Sequence, residues 1–421
     1  MRSFSLVLAA SLVFGACSSD DDEPSSTAQP LPECPTLDTA PCDTRVASCQ
    51  QRLLELAACM YGVERAPDVP IRVVTPEQLL AELQESADEP PADPDDAKNV
   101  IHVEQALVEL RLLEPGNLTQ GGGAAAELVD RIDGVYQDAE SGIALVDRGR
   151  PKNDAETAAV LLHEFVHAIQ DDRYDLALWR EQRAQDVDSS LALRTVSEGQ
   201  ATYAQFRALF AMMGYDLARY DVSSALDEFR SRLLSSALDD ASPYIASFTT
   251  FPYAIGVHAA ERAWSATGLH YAERQFDAPP LSTLQALGDS YGLDLAQPSA
   301  RSLTAPEVTD GYQLVDETRL GAFMFELFLH QYRVGAADAR ALSLDWNTDR
   351  LWVYAGPGDT TAYLWELELQ GTDFETFSAK LDAPPAGVLR EERGRRMFVV
   401  GSNAPPDFLL AAGRTFLDEP G

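Results

Sequence analysis

Past Cys59 the 421-residue chain has no cysteine, so any disulfide support is confined to its N-terminal end. Positive charge is also scarce. A total of 32 Lys and Arg face 67 Asp and Glu, a net charge of −35 with no basic patch, which makes nucleic acid and anionic membrane poor partners. Such a surface suits the solubility of an exported protein. No fixed-period repeat is present, and after residue 16 no run is apolar enough to cross a bilayer. What the chain does have is apolar content. At 45% hydrophobic it can build a proper core, in two domains or in one large domain with appendages, and disorder throughout is excluded.

The opening residues, MRSFSLVLAASLVFGAC, combine Arg2, an apolar run from Phe4 to Phe14 and small residues before Cys17. This is the pattern of a bacterial export signal over residues 1–16, too short to span a membrane permanently. Its removal takes away Arg2 alone and leaves the mature chain one charge more negative. Phe14-Gly15-Ala16-Cys17 resembles a lipobox, which implies acylation of Cys17 and a lipoprotein whose only membrane attachment is that anchor. Phe14 departs from the usual Leu, so ordinary cleavage to a soluble periplasmic or secreted protein stands as the alternative. Ser18 after Cys17 favours an outer-membrane or cell-surface address. Residues 17–33, rich in Ser, Asp, Glu and Pro, read as a flexible tether.

Residues 34–60 hold the four remaining cysteines, which form two disulfides in an oxidising compartment. SCQQRLLELAACMYG has a helical pattern, which sets Cys49 and Cys59 about 15 Å apart along one axis and forbids their pairing. If the preceding segment runs back antiparallel to this helix, Cys42 meets Cys49 and Cys34 meets Cys59. A zinc ribbon competes, but the spacings are not paired CxxC.

The rest divides into residues 61–300 and 301–421. In the first part, IRVVT reads as a strand, PEQLLAELQES and NVIHVEQALVELRLL as helices, and DGVYQDAESGIALVDRG as an antiparallel hairpin. From Asn153 to about Gly288 the pattern is largely helical. Beyond Ser302, a helix at Leu320 to Tyr332, strand-like DRLWVYAG, TTAYLWELELQ and RRMFVVGS, and a helix DFETFSAKL make a smaller α/β unit without catalytic groups. That unit reads as a packing or substrate-limiting module. The expected fold class is α+β: a mainly helical core with a short antiparallel edge sheet, plus the C-terminal α/β unit.

One stretch interrupts the apolar pattern with chemistry. PKNDAETAAVLLHEFVHAIQDD begins with Asn153 as a plausible N-cap and Glu156 three residues on. Val160, Leu161, Leu162, Phe165, Val166, Ala168 and Ile169 leave no wholly polar face, so the helix should be buried. His163 and His167, four apart, project from the same side and can chelate one ion. Glu164 stands about 100° round from His163. This is the H-E-x-x-H arrangement, in which neutral imidazoles hold Zn²⁺ and the Glu takes a proton from water. The competing reading is a pair of core histidines satisfied by hydrogen bonds.

The metzincin continuation is absent, because Gln170 and Arg173 stand where Gly and a third His or Asp are required. Among the downstream acids Glu198 differs. It lies in the helical LALRTVSEGQATYAQF with small Thr195, Ala201 and Thr202 around it, which lets its helix approach the first closely and complete a His₂Glu site. An exposed helix residue is the other reading of Glu198.

HEFVHAIQDD, with the Glu of SEGQA 31 residues after His167, resembles the gluzincin metallopeptidases, particularly bacterial proteins with H-E-[FY]-x-H-A-[LI]-Q-D and a later E-G-x-A. DGVYQDAESGIALVD, FPYAIGVHAAERAW and PPLSTLQAL extend the resemblance over roughly Asp133 to Leu287. It implies a zincin-like core, His163, His167 and Glu198 as zinc ligands, and Glu164 as general base. Asp171 matches the motif's Asp and either orients a ligand from behind or solvates the helix end. By analogy GIALVD, from Gly142, is an edge strand that pairs with substrate backbone; the plain alternative is a strand that closes a sheet. Tyr253, His258, His270 and Tyr174 are available to stabilise an oxyanion. Tyr253 matches the family pattern, although a core Tyr is its simpler reading; His258 stands where an aromatic is expected. His102 and His330 read as core or surface residues.

The expected activity is zinc-dependent endopeptidase action on protein or peptide in the envelope or outside the cell. A zinc amidase on peptidoglycan, and a catalytically inactive envelope-binding lipoprotein on the same scaffold, are the alternatives.

Overall fold

Two disulfides pin the N-terminal segment to helix α1 (Ala47–Met60): Cys34–Cys59 and Cys42–Cys49, with Cα separations of 6.1 and 5.8 Å. This is the pairing that an antiparallel return predicts. The computed structural model describes residues 27–87, 94–118, 129, 132–149, 154–295, 303–309, 311–376, 381–401 and 406–419. The expected export signal, Cys17 and most of the tether lie outside them, as does Asn153. Among the described residues no helix is long and apolar enough to cross a membrane.

After α1 come β1 (Ile71–Val74), α2 (Pro76–Ala87), α3 (Pro94–Glu109) and the hairpin β2 (Gly134–Tyr136) and β3 (Ile143–Val146). A helical run follows: α4 (Asp154–Tyr174), α5 (Leu176–Glu181), α6 (Val187–Met212), α7 (Ser223–Leu238), α8 (Pro243–Thr267), α9 (Tyr271–Asp277) and α10 (Thr283–Tyr291). The C-terminal part contains β4 (Gln313–Thr318), α11 (Gly321–Gln331), α12 (Ala336–Leu344), β5 (Trp346–Gly356), β6 (Thr360–Leu369), β7 (Val388–Arg393), β8 (Arg396–Gly401) and α13 (Asp407–Asp418). The class is α+β, as the sequence pattern indicates. DFETFSAKL contributes only a 3₁₀ turn at Phe374–Thr376, with residues 377–380 outside the described ones.

The small sheet differs from the expectation in a way that matters. Its order is β1-β3-β2, with β1 parallel and β2 antiparallel to β3, so the sheet is mixed rather than antiparallel. GIALVD is therefore the central strand. Ile71–Val74 occupies the side that the hairpin leaves open, and no backbone edge of β3 remains for a substrate. The edge nearest α4 is β2.

Helix α4 lies between this sheet and α1 on one side and α6 on the other; α6 in turn lies between α4 and α8. That central place explains why α6 is buried on every face. Its start is fixed by a capping box: Asp186 Oδ1 accepts the Ser189 amide at 2.9 Å, and Ser189 Oγ accepts the Asp186 amide at 3.1 Å. The crossing of α6 and α8 is closer than side chains allow. A Cβ on Gly199 would lie 2.2 Å from the Gly256 carbonyl carbon, and one on Gly256 would lie 2.2 Å from Thr195 O. Two glycines in contact thus seat Glu198 and Tyr253, their neighbours in sequence and one turn away, beside each other.

The C-terminal strands form an antiparallel sheet of order β4-β5-β6-β8-β7. Strand alternation gives it two apolar faces. Trp352, Leu364 and Phe398 meet α13, while Val353, Trp365 and Val399 join a core shared with α3, α8, α10 and α11. Asp349 anchors α11 by accepting the Leu320 and Gly321 amides, at 2.9 Å each, and the indoles of Trp346 and Trp365. Its burial is offset by four hydrogen bonds.

Backbone cannot rearrange around a Cβ as a flexible side chain can. Gly199→Ala and Gly256→Ala should therefore each cost at least ~2 kcal/mol in urea unfolding. Gly335→Ala, with open space around its Cβ, is the control and should change little.

Candidate metal centre

His163, Glu164 and His167 come from one buried length of α4, and Glu198 is carried to them by α6; all four are 0% exposed. The two imidazole Nε2 atoms face each other at 2.9 Å. Glu198 Oε2 lies 3.7 Å from the first and 3.4 Å from the second. The convergence expected of Glu198 is present, and these three residues could hold one metal ion.

The surroundings fix which nitrogen carries each proton. Gln170 Nε2 donates to Ser197 O at 3.1 Å and to Gln200 Oε1 at 3.2 Å, which turns its Oε1 to His167 Nδ1 at 2.8 Å. An acceptor there requires a proton on Nδ1 and leaves the Nε2 lone pair pointing inward. Gln205 Oε1 holds His163 Nδ1 in the same way at 3.0 Å. Both Glu198 oxygens are buried and accept no hydrogen bond. Two lone pairs and a carboxylate sealed together need positive charge among them. Burial pushes His163 down to about 4, which disfavours a proton there. Two neutral imidazoles and one carboxylate are instead a donor set for a divalent transition metal.

Burial pushes the Glu198 carboxyl up, but His167, His163 and Arg194 outweigh it and hold the group below the usual carboxylate range. Glu164 is the reverse. Burial lifts it well above that range, opposed in part by the Tyr136 amide, which donates to Oε2 at 2.7 Å. Oε1 is buried with no partner. Beside it Gly134 leaves little room: a Cβ there would lie 2.9 Å from Val160 Cγ1 and 3.3 Å from Glu164 Cγ, so those side chains would have to shift.

Of the four groups considered for an oxyanion donor, Tyr253 joins the cluster. It is buried, and its ring is nearly parallel to that of His163, 16° between planes at 6.2 Å. Burial first, then the Glu198 charge, raises its hydroxyl well above the ordinary tyrosine value, so it stays protonated. The others lie elsewhere. His258 faces Glu261 at 3.3 Å and Asp227 at 3.6 Å, His270 is on the surface, and Tyr174 stacks on Phe276. His102 bonds Thr361 Oγ1 under the C-terminal sheet and His330 sits 3.9 Å from Asp239.

Asp171 touches neither imidazole. Its Oδ2 accepts the Tyr136 hydroxyl at 2.8 Å and its Oδ1 the Leu176 amide at 2.9 Å, so it holds β2 and the start of α5 in place. The residue that orients His167 is its neighbour Gln170. Gln205, Arg194 and Arg180 also escape a search for acids and histidines. Arg194 Nη2 is 3.6 Å from Glu198 Oε1, and Arg180 Nη2 donates to Ser197 Oγ at 3.1 Å. Their signal is helical spacing: Gln170 follows His167 by three, and Arg194 precedes Glu198 by four.

If the two glutamines set the lone pairs, Gln170→Leu and Gln205→Leu should each weaken metal binding ~10- to 100-fold in competition with a chelating dye, without unfolding the chain. Unchanged affinity in both would remove their role. No family model, no curated protein and no solved structure matches this chain, so the metal centre stands on geometry alone.

Proposed function

We propose that the chain is an exported zinc metallopeptidase of gluzincin type, tethered to the outer membrane or cell surface through Cys17. The observation that carries the reading is the meeting of two inward Nε2 lone pairs with Glu198 Oε2 at 3.4 and 3.7 Å, each imidazole held by a glutamine. Two disulfides suit an oxidising compartment.

His163, His167 and Glu198 would hold the ion. Bound zinc supplies Lewis acidity, lowering the pKa of water and polarising a carbonyl. Glu164 is the proton carrier. The Tyr136 amide fixes its Oε2, leaving Oε1 to take the proton of an attacking water and pass it to the leaving amine. Burial raises that carboxyl above the usual carboxylate range, and a cation alongside would favour the anion a base requires. Tyr253 would donate a hydrogen bond from its hydroxyl to the oxygen that gains charge.

One observation favours a second reading. All three ligand residues and Glu164 are 0% exposed, which also suits a structural metal in an inactive envelope-binding lipoprotein. Glu164→Gln separates them. The peptidase reading expects peptide-bond cleavage to fall ~10²- to 10⁴-fold with zinc still stoichiometric by elemental analysis. Glu198→Gln should lose the zinc itself. Wild-type protein without zinc would end the metal reading; zinc-loaded protein that cleaves muropeptides but no protein would move the activity to the peptidoglycan amidase.

A further inference from the structure

Away from the metal centre, where the C-terminal half of α8 meets α9 and α10, a cleft of about 580 Å³ opens on the surface. That size falls among pockets for small ligands, roughly 300–1,000 Å³. The room comes from short side chains: Ala263 and Ala266 on α8 line the cleft where longer residues would fill it. Both signs of charge line it as well, and from different elements. Arg262 stands on α8 and Arg274 on α9, while Asp289 stands on α10 and Asp294 just beyond it. All four are exposed.

These groups are poorly matched to one another. The chain has 67 Asp and Glu to 32 Lys and Arg, yet among the described residues neither guanidinium makes an ion pair or a side-chain hydrogen bond. Arg262 is placed by packing instead: its guanidinium lies against Gly292, where a Cβ would come 2.3 Å from Nη2 and 2.4 Å from Cζ. Crowding raises the Asp289 carboxyl above its ordinary value, and Arg262 offsets this only in part. Gln275, also on the cleft wall, adds a neutral donor. Its Oε1 accepts Gln200 Nε2 at 3.0 Å, which commits the oxygen inward and leaves the amide nitrogen to the cleft.

We propose that this cleft is a binding site for a small zwitterion, an amino acid or a short peptide with both ends free. Arg262, Arg274 and the Gln275 amide take the carboxylate through charge-assisted hydrogen bonds, and Asp289 and Asp294 take the ammonium. The four charges of the wall sum to zero. A simple anion would be repelled by the aspartates and a simple cation by the arginines, whereas a molecule carrying both charges meets neither penalty. The site is separate from the metal centre, with Gln200 and Gln170 standing between Gln275 and His167, and it does not depend on the peptidase reading.

The test is titration calorimetry on the full chain, after chelation and again with zinc added. The probes are alanine, trialanine, N-acetyl-trialanine and trialanine amide. Alanine or trialanine should bind ~10-fold or more tighter than either capped tripeptide, with or without zinc, and the tighter of the two identifies the length of the ligand. Arg274→Gln and Asp294→Asn, both at exposed positions, should each weaken that binding ~10-fold or more, and Ala266→Trp, which fills the cleft, should abolish it. Thermal melts of the three variants should match the parent, and if one does not, the capped probes on the parent protein still decide. Equal affinity for all four probes, or binding untouched by the three substitutions, overturns the site. Tight binding of N-acetyl-trialanine overturns the zwitterion, and binding that appears only with zinc moves the ligand to the metal centre and overturns the cleft.

Discussion

Polar groups sealed away from water must satisfy one another, and much of this molecule follows from sealing two imidazoles and two carboxyls inside a helical core. An unsatisfied buried polar group costs several kcal/mol, so each neighbour is constrained in turn. His167 requires Gln170, Gln170 requires Ser197 O and Gln200, and Gln200 receives the Tyr61 hydroxyl and donates to Gln275 at 3.0 Å. Tyr61 ends α1, two residues past the Cys34–Cys59 disulfide. A line of amides therefore runs from the cross-linked N-terminal segment to a candidate metal ligand. The disulfides stabilise more than a loop: they fix one end of the network that sets the His167 tautomer.

The second requirement is proximity. A carboxylate on one helix can meet imidazoles on another only if backbones approach closely, and small residues around Glu198 suggest as much. Gly199 meets Gly256 across the other crossing, so it sets the approach of α6 to α8 rather than to α4. That crossing seats Tyr253 beside Glu198 and His163.

The site was legible where chemistry is local. His163, Glu164 and His167 lie on one turn, and spacing alone puts them together. Glu198 needed a second inference, from its small neighbours, and it arrives within 4 Å of both imidazoles. The rest was hidden because it depends on partners distant in sequence. GIALVD reads as an edge strand until Ile71–Val74 pairs with its other side. Asp171 looks like a partner for an imidazole, but the free acceptor toward His167 is the Gln170 amide, whose nitrogen is already committed to α6.

The C-terminal sheet carries none of these groups, and its contribution is mechanical. Asp349 on β5 binds the amides that begin α11, and Phe323 on α11 donates to Thr283 Oγ1 at 3.2 Å. Thr283, through both its amide and its hydroxyl, binds Asp188 Oδ1 at 2.7 and 2.6 Å. Asp188 sits in the first turn of α6, and its amide donates to Arg319 O at 3.0 Å. Buried hydrogen bonds thus run from the sheet to the start of the helix that bears Arg194 and Glu198. A helix clamped at its start and gripped by glycine contact near Gly199 has little freedom to rotate. Rotation by even one residue, about 100°, would take Glu198 away from the imidazoles. On these contacts the sheet acts as a buttress for the helix that bears Glu198.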